Sequence, residues 1–126
     1  MGVKEGLMST RQSLYKIMAE RNKQAEKYFH NSLFYAKEIK NMLQKSFPDV
    51  RVLIFGSAMR GDYQPNSDID ILVISSAIPK ELFTQAEIKL KIKNQFPDAP
   101  FEMHLITPKE YGNWYKKFIK DEFREM

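Results

Sequence analysis

Residues 52–74, VLIFGSAMRGDYQPNSDIDILVI, constrain this chain more than any other stretch. Val52 to Phe55 is an apolar run that reads as a buried strand, cut short by Gly56-Ser57. A turn-rich connection follows, and a second apolar run opens with Asp68-Ile69-Asp70. Side chains alternate along an extended strand, so this spacing places Asp68 and Asp70 on one face. Two like charges at that range repel unless a cation lies between them. On their own they would pass for surface carboxylates at a strand start. Here a turn of small residues suited to phosphate lies one short loop upstream.

The rest of the chain supplies helices around that unit. Residues 1–8 read as a frayed start. Ser9 to Ser46 contain neither Gly nor Pro and are rich in good helix formers. Ala25, Tyr28/Phe29, Ser32/Leu33, Ala36, Ile39 and Leu43 recur at helical spacing, giving the second half one packing face. A bend is expected at Asn22 or Asn31, with Leu14, Ile17 and Met18 on a separate first helix. Phe47-Pro48-Asp49 ends the helical segment. Strand one is expected over Val50 to Phe55, a turn of helix over Ser57 to Gly61, and strand two over Ile69 to Ile74. A helix over 79–95 follows, with Leu82, Phe83, Ala86 and Leu90 as its apolar face. Strand three, Phe101 to Ile106, puts Phe101, Met103 and Leu105 on one face and Glu102, His104 and Ile106 on the other. Thr107-Pro108-Lys109-Glu110 opens a last helix as an N-cap, Pro and Glu series. Tyr111, Trp114/Tyr115 and Phe118 mark its buried side. The expected fold is α/β (α+β): one domain over 1–126, with a helical extension at 1–47 and a core at 48–126. In that core a small mixed sheet carries its helices on one face and leaves the other face, or its carboxyl edge, for chemistry.

Composition narrows the function by exclusion. The 126 residues suit one domain, and with no cysteine there is no disulfide framework, thiolate metal site or cysteine nucleophile. No stretch approaches the roughly 18 apolar residues of a membrane span, and the expected location is cytoplasmic. The formal charge of +4 is mild. It favours anionic ligands without marking a nucleic-acid binder, because no zinc-finger or aromatic ribonucleoprotein motif accompanies it. His30 reads as structural. Neither a Walker motif nor HExxH occurs.

Gly56 allows a sharp turn and close approach of a ligand, and Ser57 adds a hydroxyl donor at the start of a short helix; together these suit phosphate oxygens. Asp68 and Asp70 suit Mg²⁺, a hard cation that bridges carboxylates and substrate phosphates. Glu102, on the polar side of an alternating strand, is the candidate third carboxylate, with a solvated sheet face as the alternative. In that set it would ligate a second metal and take the proton of an attacking hydroxyl. His104 shares its face and has three open roles: orienting Glu102, contacting substrate, or lying at the surface. Arg60 either reaches a phosphate or pairs with Asp62. Ser67 either binds phosphate or closes its loop.

Gly56-Ser57-Ala58-Met59-Arg60-Gly61 followed by Ser67-Asp68-Ile69-Asp70 resembles the signature of the minimal nucleotidyltransferases, within the DNA polymerase beta-like superfamily. The resemblance spans about Val50 to Ile106. It implies transfer of a nucleoside monophosphate from an NTP, ATP foremost, to a hydroxyl, with Mg²⁺ as one or two ions and pyrophosphate as leaving group. It places the phosphate turn on Gly56 and Ser57, the metal pair on Asp68 and Asp70, and the third carboxylate on Glu102, where the family more commonly has Asp. Members of this group resemble partners of helical HEPN proteins in toxin–antitoxin pairs. That implies a HEPN-type partner or a homodimer contact through residues 9–46, with protein, RNA or a small molecule as acceptor. The alternative is an antitoxin-like interaction protein with little catalysis.

Overall fold

A chain free of Gly and Pro for so long can remain helical, and α1 (Gly2–His30) and α2 (Ser32–Gln44) fill nearly all of the first 44 residues. The computed structural model describes residues 2–64, 66–119 and 122–126, and among these the side chains of all but residues 2–9, 114 and 118. The expected burial of Trp114 and Phe118 lies outside the described residues. The expected frayed start is instead helical from Gly2. The break falls at Asn31 rather than Asn22. Its side-chain amide donates to the Lys27 carbonyl at 2.9 Å, and its backbone leaves the helical region at φ −111°, ψ 27°. An Asn side chain that bonds nearby backbone in this way competes with helix continuation. Ala25, Tyr28, Phe29, Ser32, Ala36, Ile39 and Leu43 form the buried face as expected, while Leu33 stays exposed and residues 10–24 are exposed throughout.

The sheet has the order β3-β2-β1-β4. Its strands are β1 (Arg51–Phe55), β2 (Ile69–Ile74), β3 (Phe101–Ile106) and β4 (Phe123–Glu125). Strand β1 runs antiparallel to β2 and β4, and β2 runs parallel to β3. The parallel pair needs a crossover, which α4 (Leu82–Gln95) provides. One sheet face, with Val52, Ile54, Ile69, Ile71, Val73, Met103 and Leu105, packs against α2, the end of α1 and Ile92 of α4. Leaving the exit of β2, Ser75 Oγ and Ser76 N–H and Oγ donate to the Asp49 carboxylate at 2.5–2.9 Å. Those bonds hold its pKa down at about 2.

Helix α4 corrects two expectations. It begins at Leu82 rather than Pro79, and its expected face is turned outward: Leu82 is 78% exposed, Phe83 70% and Leu90 56%, with Ala86 also exposed. Ile88, Ile92 and Phe96 meet the core instead. These recur at i, i+4 and i+8, on roughly the opposite side of the helix by its 100° per residue. The sequence thus carries two apolar stripes, and the sheet takes the one with β-branched residues.

The second sheet face is not left entirely open. Thr107 closes a capping box with Glu110, giving a first turn α5 (Pro108–Glu110). A π turn over Tyr111–Tyr115 and a final turn α6 (Lys116–Ile119) follow where one continuous helix was expected. Gly112 and Asn113 are weak helix formers at the point where the wider turn inserts. Tyr111 and Ile119 then cover Leu53, Leu72, Ile74 and Ile106. The chain returns as β4, an element too short for sequence periodicity to show. A bidentate Arg51–Glu125 pair, at 2.9 and 2.7 Å, fixes it to β1.

Candidate active site

The pairing register builds the site. On the second sheet face Phe55, Asp70 and Glu102 stand in one row across β1, β2 and β3, and Leu53, Leu72 and His104 stand in the next. The end of this face beyond Leu53 and Leu72 therefore carries two carboxylates side by side, with an imidazole one step along. One oxygen of Asp70, one of Glu102 and one ring nitrogen of His104 all lie within 4.8 Å of one another.

Immediately beside Asp70, β1 ends and the chain reverses through Gly56. Its backbone, φ 78° and ψ −153°, occupies a region open essentially to glycine alone. A Cβ there would also run into the Asp70 carboxylate, whose Cγ is 3.4 Å from the position it would take. Glycine is required on both counts. The turn continues as α3 (Ser57–Arg60), closed by Met59 N–H and Arg60 N–H on the Gly56 carbonyl at 3.0 and 3.1 Å, and by Gly61. The first N–H groups of such a turn, those of Ser57 and Ala58, have no helical acceptor. A pocket of about 240 Å³ opens here, lined by Phe55, Gly56, Ser57, Arg60, Asp70, Ile119 and Glu122. On its other side the same cluster borders a groove of about 660 Å³ along β3, where Asp68, Glu102 and His104 face Lys89 and Lys93 of α4.

The electrostatics match this crowding. Burial first, and the Glu102 charge second, push the Asp70 carboxyl above its usual range, while His104 pulls it back. His104 Nε2 is buried and has no hydrogen-bond partner among the described residues. Two hard carboxylate oxygens that repel, beside an imidazole nitrogen left without a hydrogen-bond partner among the described residues, are a donor set that fits a divalent cation.

The structure brings Gly56, Ser57, Arg60, Asp70, Glu102 and His104 to one place. Asp68 stands just before β2, exposed, and among the described residues it does not join the cluster of Asp70, Glu102 and His104. Ser67 closes its loop: its Oγ accepts the Gln64 N–H at 2.8 Å. Arg60 pairs with Asp62 at 3.2 Å and Glu122 at 3.6 Å, so it reaches the pocket rim already engaged. His30 is exposed and pairs with Glu26 at 3.5 Å. Sequence reasoning did not foresee that Ile119 and Glu122 wall the pocket, or that Phe55 and Tyr115 flank the His104 ring.

A family model described as nucleotidyltransferase domain matches residues 36–125, which include every element of the sheet. The chain belongs to that family. A Methanocaldococcus jannaschii protein, named provisionally as a protein adenylyltransferase, is 36% identical over 89 residues, covering 71% of this chain and 80% of that protein. A crystal structure described provisionally as a nucleotidyltransferase superposes with a TM-score of 0.57 at 35% identity, covering 71% of this chain and 95% of the other. A second, from Sulfolobus solfataricus, gives 0.53 at 29% identity over 81% of this chain and 85% of the other. Nucleotidyl transfer is therefore the general chemistry of this domain, and the four-stranded mixed sheet with helices is the fold of its relatives. No helix among the described residues is long and apolar enough to cross a membrane.

Proposed function

We propose that this nucleotidyltransferase moves a nucleoside monophosphate from ATP to a hydroxyl on a protein, using a divalent cation, Mg²⁺ foremost. The observation that carries the reading is the register that sets Asp70 beside Glu102 and directly against the Gly56–Ser57 turn. ATP and a protein acceptor extend to this chain what the name of the M. jannaschii relative says of that protein.

Each residue then has a task. Gly56 lets the backbone approach the phosphates, and Ser57 donates its hydroxyl and N–H to their oxygens. Asp70 and Glu102, with Asp68 at the rim, would hold the cation. The cation's contribution when bound is to neutralise charge on the attacking and leaving sides of the displacement, with two ions doing so symmetrically. Glu102, 53% exposed and facing the β3 groove, accepts the proton of the acceptor hydroxyl. An acceptor O–Pα bond forms, the bond from Pα to the bridging oxygen breaks, and pyrophosphate leaves with the electron pair. The pocket beside Asp70 and the groove beside Glu102 give donor and acceptor separate entries to one centre.

A second reading, an interaction protein that binds nucleotide with little turnover, draws on α1, where Leu14, Tyr15, Ile17 and Met18 are at least half exposed. That surface suits the HEPN-type partner, or the second copy, that the sequence resemblance implies. Incubation with labelled ATP, CTP, GTP or UTP, Mg²⁺ and candidate acceptors separates the two. Transfer of label that falls at least about a thousandfold, on the order of 4 kcal/mol of barrier, in Asp70→Asn and Asp68→Asn supports the enzyme. Wild-type turnover in either folded variant removes the assignment. Tight partner binding without any transfer favours the second reading.

A further inference from the structure

We propose that His104 Nε2 is a direct ligand of the divalent cation, and that this nitrogen turns the site's preference from Mg²⁺ toward Mn²⁺. The inference rests on the cation site proposed above and adds to it a nitrogen donor and a metal preference.

The His104 side chain is 25% exposed and lies between two rings, with centroids 5.6 Å from Phe55 and 6.0 Å from Tyr115. These neighbours fix the plane of the imidazole and keep Nε2 out of solvent. An unpaired buried polar atom of this kind is rare in native proteins and calls for a specific explanation. Asp70 Oδ1 lies 3.7 Å from this nitrogen and Glu102 Oε1 3.9 Å. Both separations are too long for a hydrogen bond.

They are close to the spacing of two ligands of one ion. With metal–oxygen bonds of about 2.1 Å, donors around an octahedral cation stand about 3.0 Å apart when adjacent and about 4.2 Å apart when opposite. Both His104 separations fall inside that interval, and the three donor atoms need only a small inward shift to share a centre. One ion thus satisfies the idle nitrogen and relieves the Asp70–Glu102 repulsion together. A direct His104–carboxylate contact at the observed distances leaves the nitrogen without a hydrogen bond.

Ligand chemistry then selects the ion. Mg²⁺ is hard, demands oxygen and gives up its water reluctantly. First-row transition ions accept imidazole, and of these Mn²⁺ is the one that shares the octahedral, carboxylate-rich preference of Mg²⁺. Two carboxylates and one imidazole form a set that Mn²⁺ can use completely and Mg²⁺ only in part.

The test uses the full chain stripped with chelator and titrated with MnCl₂ without nucleotide, followed by electron spin-echo envelope modulation of the bound ion. The expected result is a nitrogen modulation on Mn²⁺ that vanishes in His104→Leu. In that variant Mn²⁺ affinity falls at least about tenfold while Mg²⁺ affinity stays within about twofold. The wild-type spectrum needs no variant, so a misfolded His104→Leu leaves the ligand assignment testable. Bound Mn²⁺ with no nitrogen modulation, displaced equally well by Mg²⁺, overturns the His104 assignment and leaves the carboxylate site standing. Nitrogen modulation that persists in a folded His104→Leu also overturns it. Failure of either ion to bind, or binding unchanged in Asp70→Asn, overturns the inference and the cation site together.

Discussion

Replacing Gly56 by alanine isolates the contact on which the site is built. The substitution has two separate costs. At φ 78° and ψ −153° the backbone lies in a region reserved for glycine, and holding an L-residue there costs about 1–3 kcal/mol. The new methyl also meets the Asp70 carboxylate, whose Cβ and Cγ lie only 3.6 and 3.4 Å from that position. Moving Asp70 off its rotamer adds about 0.5–1.5 kcal/mol. The expected loss is therefore about 2–4 kcal/mol, which in a domain of this size lowers Tm by roughly 3–5 °C per kcal/mol. Urea melts of wild type, Gly56→Ala, Asp70→Ala and the double variant form a cycle that separates the two costs. In the Asp70→Ala background the steric part disappears, so Gly56→Ala costs about 1 kcal/mol less there, while the backbone part persists. A loss below about 0.5 kcal/mol in the single variant, a typical surface effect, would refute the backbone argument. Strict additivity around the cycle would show that the Gly56 and Asp70 positions do not touch.

Two further outcomes follow from the same structure. Asp70→Asn stabilises the metal-free protein. Carboxylate oxygens no more than 4.8 Å apart repel by at least about 0.9 kcal/mol at the permittivity of water and at least about 3.5 kcal/mol at an effective value of 20, and exposure of Glu102 favours the lower figure. Because the folded-state pKa of Asp70 is raised, the group stabilises the fold most below the ordinary carboxylate range and loses that contribution as pH rises through the folded value. The Tm advantage of Asp70→Asn is thus expected to be larger at pH 7 than at pH 4; equal shifts at both would contradict the repulsion. In α4, Ile92→Ala is expected to cost about 2–4 kcal/mol, because Ile92 is buried in the core, while Phe83→Ser and Leu90→Ser stay within about 0.5 kcal/mol. Denaturant melts showing the reverse ranking would restore the orientation read from sequence.

Much of the site was legible before the fold because its chemistry is carried by short-range features. Gly56-Ser57 announces a turn, and the alternation of Phe101 to Ile106 already placed Glu102 and His104 on one face, as the register confirms. The position of Asp68 was not legible. Period-two reasoning assumes that the strand includes it, whereas pairing begins at Ile69, whose N–H meets the Pro100 carbonyl at 2.7 Å. Helix α4 misled for a different reason. Two apolar stripes share one helix, and only tertiary packing chooses between them. The π turn at Tyr111–Tyr115 and strand β4 lacked any periodic signature, yet they place Ile119 and Glu122 on the wall of the pocket.

Among the described residues strand β3 is an outer strand of the sheet, bonded to β2 on one side. Strands held on one side open more readily than those in the middle. Glu102 and His104 both ride on this margin, whereas Asp70 belongs to the interior strand beside it. Fraying of the margin would carry two of the three donors away together and dismantle the centre without melting the rest. A ligand that bridges Asp70 to Glu102 or His104 is then a clip across the β2–β3 ladder: occupancy and the integrity of that border are two descriptions of one equilibrium.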